Sequence, residues 1–165
     1  RMKISSWKRL DHNMLPPAAK TVANYANSSL AKVEALRAGY DEAILLNNEG
    51  LVSECTGENL FVVRNGKIIT PPLSAGALEG ITQWSVIKIL EDLGYDVEKG
   101  NLARSDLYIA EEIFCVGTAA EVSAINSVDD RSVPCPGPIT LQVADIYGKA
   151  VRGQLPQYKN WCELA

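Results

Sequence analysis

Two tight-turn signals, each set between short apolar runs, constrain this chain more than any other feature. Leu60–Val63 and Lys67–Thr70 flank Arg64-Asn65-Gly66. Asn and Gly both tolerate the positive φ that a two-residue hairpin turn demands. Ala43–Leu46 and Leu51–Ser53 flank Asn47-Asn48-Glu49-Gly50 in the same manner. Hairpins this close together, mixed with helical patterns and lacking regular strand–helix alternation, indicate an α+β fold rather than a doubly wound sheet.

The remaining pattern fits that frame. Met2–Arg9 alternates in part through Met2, Ile4 and Trp7 and reads as a strand. From about Thr21 to Arg37 the apolar residues Val22, Tyr25, Leu30, Val33 and Leu36 approach helical spacing, and Gly39 closes the helix. A second helix is expected over Thr82–Leu93 and a short strand within Asp96–Leu102. Ser105 is expected to cap a brief helix ending at Ala110. Ile113–Val116 and Glu121–Asn126 read as strands, Asp129-Asp130-Arg131 as a turn, and Gly137-Pro138 as the start of a last helix reaching Val151.

Composition removes several kinds of chemistry. The chain has 165 residues, enough for one domain with a proper core, and 47% of them are hydrophobic. A net charge of −4 with no basic block argues against nucleic-acid binding. No apolar run is long enough to span a bilayer. Arg1-Met2-Lys3 leads directly into Ser5-Ser6-Trp7 without a secretory pattern, so a cytoplasmic protein is expected. The four cysteines, Cys55, Cys115, Cys135 and Cys162, are scattered, and His12 is the one histidine. That inventory disfavours a zinc-type site and, unless His12 is a base, a histidine-dependent nucleophile. His12 sits between Asp11 and Asn13 and is expected to be solvated. Chemistry here would run on Lys, Tyr and carboxylates, or on a cofactor.

Four segments could carry such chemistry. Leu78-Glu79-Gly80-Ile81-Thr82 precedes a helix, whose free first-turn N–H groups favour an anion such as phosphate; Thr82 would cap the helix or donate its hydroxyl. Gly117-Thr118-Ala119-Ala120 follows a buried strand and could offer backbone N–H groups to a ligand oxygen. Glu54, between an apolar strand and a small-residue turn, is positioned to point inward, where an ionised carboxylate needs a cationic or donor partner. Glu58 is expected to be solvated. Lys20 lies in the small, apolar stretch Pro16–Tyr25, where desolvation would make its amine nucleophilic. Tyr25 is five residues on from Lys20, so the two converge on one ligand only if Lys20 precedes the helix proper. Each segment taken alone is more commonly structural than functional.

Together, in order, they resemble the class IV, fold-type IV pyridoxal-phosphate aminotransferases, most closely those for branched-chain amino acids. The resemblance rests on Lys20…Asn24-Tyr25, Gly39-Tyr40-Asp41-Glu42-Ala43, Ser53-Glu54…Gly57-Glu58-Asn59-Leu60-Phe61, Thr70-Pro71-Pro72, Gly80-Ile81-Thr82 and Gly117-Thr118-Ala119-Ala120-Glu121. It implies residues 1–165 as one domain, the larger C-terminal domain of the D-amino-acid-aminotransferase-like fold, with mixed sheets forming a pseudo-barrel flanked by helices and without the smaller N-terminal domain. It implies pyridoxal 5′-phosphate as cofactor, with Lys20 as the Schiff-base lysine and proton shuttle. Tyr25 would bond the cofactor's phenolic oxygen, Glu54 its pyridine nitrogen, and Leu78 would cover its ring. Gly80, Ile81, Thr82 and Thr118 would hold its phosphate, and Thr118-Ala119-Ala120 would face the substrate carboxylate. The reaction implied is amino transfer between Leu, Ile or Val and 2-oxoglutarate, in a homodimer with no metal. D-amino-acid or (R)-amine transaminases and aminodeoxychorismate lyases share the same machinery, and an inert folded fragment is the alternative outside catalysis. Three positions depart from the family pattern: Val22-Ala23 stands where two glycines are usual before Asn-Tyr, and Gln83 where an arginine commonly follows Gly-Ile-Thr.

Overall fold

The computed structural model describes residues 1–162. Its elements run β1 (Met2–Lys8), α1 (Tyr25–Arg37), β2 (Glu42–Leu46), β3 (Val52–Cys55), β4 (Asn59–Arg64), β5 (Lys67–Thr70), α2 (Ile81–Asp92), β6 (Val97–Lys99), α3 (Arg104–Tyr108), β7 (Glu112–Gly117), β8 (Glu121–Ala124), β9 (Ser127–Val128), β10 (Arg131–Ser132) and α4 (Pro138–Ala150). Short 3-10 turns occupy Val22–Asn24, Leu73–Ala75 and Pro156–Trp161.

Two mixed five-stranded sheets result, ordered β10-β9-β1-β2-β3 and β6-β5-β4-β7-β8. Both expected hairpins are present: β2 pairs antiparallel with β3, and β4 with β5 through Arg64↔Lys67. Asn65 and Gly66 adopt the positive φ values of 51° and 70° that this turn requires. Sequence reading did not find that β1 runs parallel to β2, with α1 as the crossover between them. Nor did it resolve β9 and β10, which flank the expected Asp129-Asp130 turn as a short hairpin.

The strands that read as unbroken apolar runs are buried on both faces. In β4, Leu60 and Val62 point into a core shared with Ile4, Ile44 and Val52 of the first sheet, whereas Phe61 and Val63 point the other way, into a core with Val86, Ile89 and Leu90 of α2 and Val143 of α4. Phe61 and Phe114 stack there with ring centres 5.0 Å apart. The first sheet's outer face carries Ala43 and Leu45 against Ala31 and Ala35 of α1. The layers are therefore helix, sheet, sheet and paired helices, which is the expected α+β architecture.

Some local expectations are corrected. The helix near residue 25 exists, but its large apolar side chains face out: Leu30, Val33 and Leu36 are exposed, and Ser28, Ala31 and Ala35 make the buried stripe. Small residues let α1 lie close on its sheet, so the bulky ones are left outside. Trp7 is also exposed, because an irregularity between Ile4 and Lys8 interrupts the alternation of β1. Thr82 does not cap α2; Gly80 is the N-cap and offers no side chain. Ser105 does not cap α3 either: that helix starts after Ala103, whose N–H donates to the Asp106 carboxylate at 2.7 Å.

Candidate active site

Four segments meet at one edge of the two sheets. Glu54 lies in the edge strand β3, and the turn after it carries the chain across to β4 in the second sheet. Beside that turn come the 78–80 loop before α2 and the β7–β8 turn, and the segment before α1 completes the ring. One part of the resulting cleft is lined by Arg9, Lys20, Tyr25, Glu54, Asn59 and Leu78. The adjoining part shares Lys20, Asn59 and Leu78 and adds Gly80, Ile81, Thr82 and Thr118.

Lys20 precedes the 3-10 turn that leads into α1, which is the condition for it and Tyr25 to face the same space. Pro16-Pro17 and Asn24 shape this approach: the Asn24 amide donates to the carbonyls of Pro16 and Ala19 at 3.0 and 2.8 Å, pinning the loop that carries Lys20. The Asn24 Oδ1 atom is buried without a partner among the described residues. Lys20 is exposed rather than desolvated by its small neighbours, and it enters no ion pair among the described residues. Val22 is 88% exposed, so the bulk added where glycine is usual points away from the cleft.

Glu54 is buried, as an inward-facing carboxylate after an apolar strand would be. Its partner is Arg9, also buried, whose Nη2 lies 2.6 Å from Glu54 Oε1. The Leu78 N–H and the Asn59 amide donate to Oε2 at 2.8 and 3.2 Å. Burial pushes Glu54 up to about 7, against the opposing pull of Arg9, the Leu78 N–H and Lys20. The contact with Arg9 favours the anion and burial the neutral acid, so near neutral pH both forms are populated. Glu58 is half-buried in the cleft rather than solvated; burial, and then the nearby Glu42, raise its carboxyl above the ordinary range.

Gly80 is required by packing: a Cβ there would overlap Asn59 Oδ1. Asn59 in turn donates to the Leu78 carbonyl at 2.8 Å, so the loop, β4 and Glu54 form one hydrogen-bonded unit. Beyond Gly80, the first-turn N–H groups of Ile81, Thr82 and Gln83 have no protein acceptor among the described residues. They form the open, positive end of a 12-residue helix facing the cleft. Gln83 turns inward and donates to Thr70 Oγ1 at 3.0 Å, tying α2 to β5 instead of reaching toward the cleft. Thr118 lines the cleft, whereas Ala119 and Ala120 lie on the same turn outside the lining residues.

Arg9 is the residue sequence reading missed. It stands 45 positions from Glu54, and nothing local marks it as buried. The usable signal was the inverse one, that an inward carboxylate demanded a cation somewhere. His12 is exposed in its loop. Among the described residues no cluster of His, Cys, Asp and Glu is placed to hold a metal ion.

This donor set suits a flat, phosphorylated aldehyde: a free amine, a buried carboxylate and an unpartnered helix end share one cleft. The chain belongs to the class IV aminotransferases, whose sequence profile matches residues 1–128. Within that class it is similar to branched-chain-amino-acid aminotransferases. A probable one from Aquifex aeolicus (strain VF5) is 49% identical over 164 residues, 98% of this chain and 53% of that protein. The crystal structure of the branched-chain aminotransferase from Thermoproteus uzoniensis with norvaline superposes with a TM-score of 0.95 at 46% identity, over 98% of this chain and 54% of the other. That of the branched-chain amino acid aminotransferase from Thermobaculum terrenum in its PLP-form gives 0.95 at 46% identity, over 98% and 53%. The chain thus spans about half the length of the relatives it matches.

Proposed function

We propose that this chain is the cofactor-bearing domain of a branched-chain amino acid aminotransferase, transferring an amino group between Leu, Ile or Val and 2-oxoglutarate. The observation that carries this reading is the meeting of Lys20, Tyr25, Glu54 and the open end of α2 in one cleft. Residues 1–165 would act as a single unit, and the part of the relatives that lies outside this chain would complete the substrate pocket. The free cysteines among the described residues suit a reducing compartment and support a cytoplasmic location.

In this reading pyridoxal 5′-phosphate, when bound, supplies a protonated ring that accepts the electron pair left at the substrate Cα. Lys20 Nζ would hold the cofactor and, once displaced from it by the substrate amine, would take the proton from that carbon. Glu54 would accept a hydrogen bond from the ring nitrogen and favour the protonated ring. The Tyr25 hydroxyl would bond the phenolic oxygen, and Leu78 would cover the ring. The N–H groups of Ile81 and Thr82, with the Thr82 and Thr118 hydroxyls, would bind the phosphate, and Gly80 would let the backbone come close enough to do so. The turn bearing Thr118, Ala119 and Ala120 forms the wall toward the substrate carboxylate.

The test is absorbance titration of the purified chain with pyridoxal phosphate, followed by borohydride reduction and peptide mapping. Label on Lys20 is expected, and Lys20→Ala should abolish it with the circular dichroism unchanged. Label spread over surface lysines, or retained absorbance in Lys20→Ala, rejects the reading. Substrate profiling of the protein that contains the remaining half separates branched-chain L-amino acids from D-amino acids.

A further inference from the structure

The Arg9 guanidinium is spread over three elements. Its Nε donates to the Gly76 carbonyl at 3.0 Å, Nη1 to Ser28 Oγ of α1 at 3.3 Å, and Nη2 to Glu54. Gly76 supplies both the acceptor and the room: its φ is +91°, and a Cβ there would sit 3.1 Å from Arg9 Cγ. An arginine only 6% exposed is uncommon unless its charge is matched, and Glu54 is the match. On the carboxylate, Leu78 and Asn59 occupy the two lone pairs of Oε2, and Arg9 occupies one of Oε1. One lone pair of Oε1 is left for a donor from the cleft.

We propose that Arg9 is a positioning residue of this site, its guanidinium favouring the anion of Glu54 and fixing its rotamer so that the free lone pair of Oε1 serves a ring nitrogen. This rests on the cofactor reading given above. The physical argument is a competition for one proton. A ring N–H bonded to a carboxylate keeps its proton only while the carboxylate is the weaker base, and an adjacent guanidinium, fixed by the Gly76 and Ser28 oxygens, makes it weaker. The other charged groups facing Glu54 are Lys20, which also favours the anion, and Glu58, which opposes it. Lys20 is exposed and would be consumed in holding the cofactor, so in the loaded site Arg9 is the permanent counter-charge.

Carbon-13 NMR of glutamate-labelled protein, with the Glu54 carboxyl assigned by its loss in Glu54→Gln, tests this without cofactor. Arg9→Gln should raise the Glu54 titration midpoint by about one to three pH units, and Arg9→Lys should recover part of that shift. A folded Arg9→Gln variant with an unmoved midpoint overturns the proposal. Should Arg9→Gln fail to fold, the wild-type chain still decides: its Arg9 side-chain nitrogen resonances should titrate together with Glu54, and a flat response overturns the proposal. In the loaded chain, the nitrogen-15 shift of labelled pyridoxal phosphate should move toward the unprotonated ring in Arg9→Gln, and an unmoved shift counts against it. If the wild type takes up no cofactor, the cofactor reading fails, and the titrations of the free chain still decide whether Arg9 controls Glu54.

Discussion

Gly80 shows how one missing side chain organises the cleft. Alanine there would drive Cβ into Asn59 Oδ1, and Asn59 bonds both Glu54 and the Leu78 carbonyl. Gly80→Ala should cost about 1–3 kcal/mol in urea unfolding and weaken pyridoxal-phosphate affinity in the same protein. Glu54 adds a pH dependence of known sign. Its folded value of about 7 stands above the ordinary 4.5, so between those values the folded chain binds the extra proton. The stability this supplies is full below about pH 4.5 and is lost as pH rises through about 7. The difference in unfolding free energy between wild type and Glu54→Gln should therefore shift against wild type from pH 5 to pH 8. A pH-independent difference would contradict it. At this scale the inward carboxylate was readable from its neighbours, but the exposure of Lys20 and the burial of Arg9 were not. The Arg9 partners Ser28, Glu54 and Gly76 are spread along the chain at 19 or more positions away, and no spacing rule reaches that far.

At the scale of elements, α4 depends on a side chain from another strand. Glu112 of β7 is buried and accepts from the Ile139 and Thr140 N–H groups at 3.1 and 2.8 Å and from the Thr140 hydroxyl at 2.7 Å. It acts as the cap that Gly137 lacks, placing a negative charge on the positive end of the helix. A Cβ on Gly137 would occupy the space of the Glu112 carboxyl. Glu112→Ala should cost about 1–2 kcal/mol by loss of the cap, measured by thermal unfolding. Gly137→Ala should cost at least as much by displacing the same carboxylate. Gly137-Pro138 was legible as a helix start because Pro at the first position has no N–H to satisfy. The capping partner, supplied across the fold, was not. For α1 the helix itself was legible and its buried face was not. Periodicity reports which residues share a stripe, and here the stripe facing the sheet is built of Ser28, Ala31 and Ala35.

Across the whole molecule, Trp7, Leu30, Val33 and Leu36 leave an apolar area on the first sheet's helix layer, at the opposite side from α2 and α4. Surfaces of this kind promote association. The resemblance implies a homodimer; if this face is its contact, a Leu30→Glu, Val33→Glu double variant should shift sedimentation toward monomer. Unchanged concentration dependence would place any dimer contact elsewhere. The sequence by itself determined the α+β class, both hairpins, the main helices and most of the residues that line the cleft, because turns, caps and apolar runs are encoded within a few residues. Tertiary structure alone decided that α1 crosses between parallel strands, that its bulky residues face outward, and that Arg9 balances Glu54. Those outcomes depend on which surfaces are close enough to exclude water, and only the packing of the two sheets and their helix layers sets those distances.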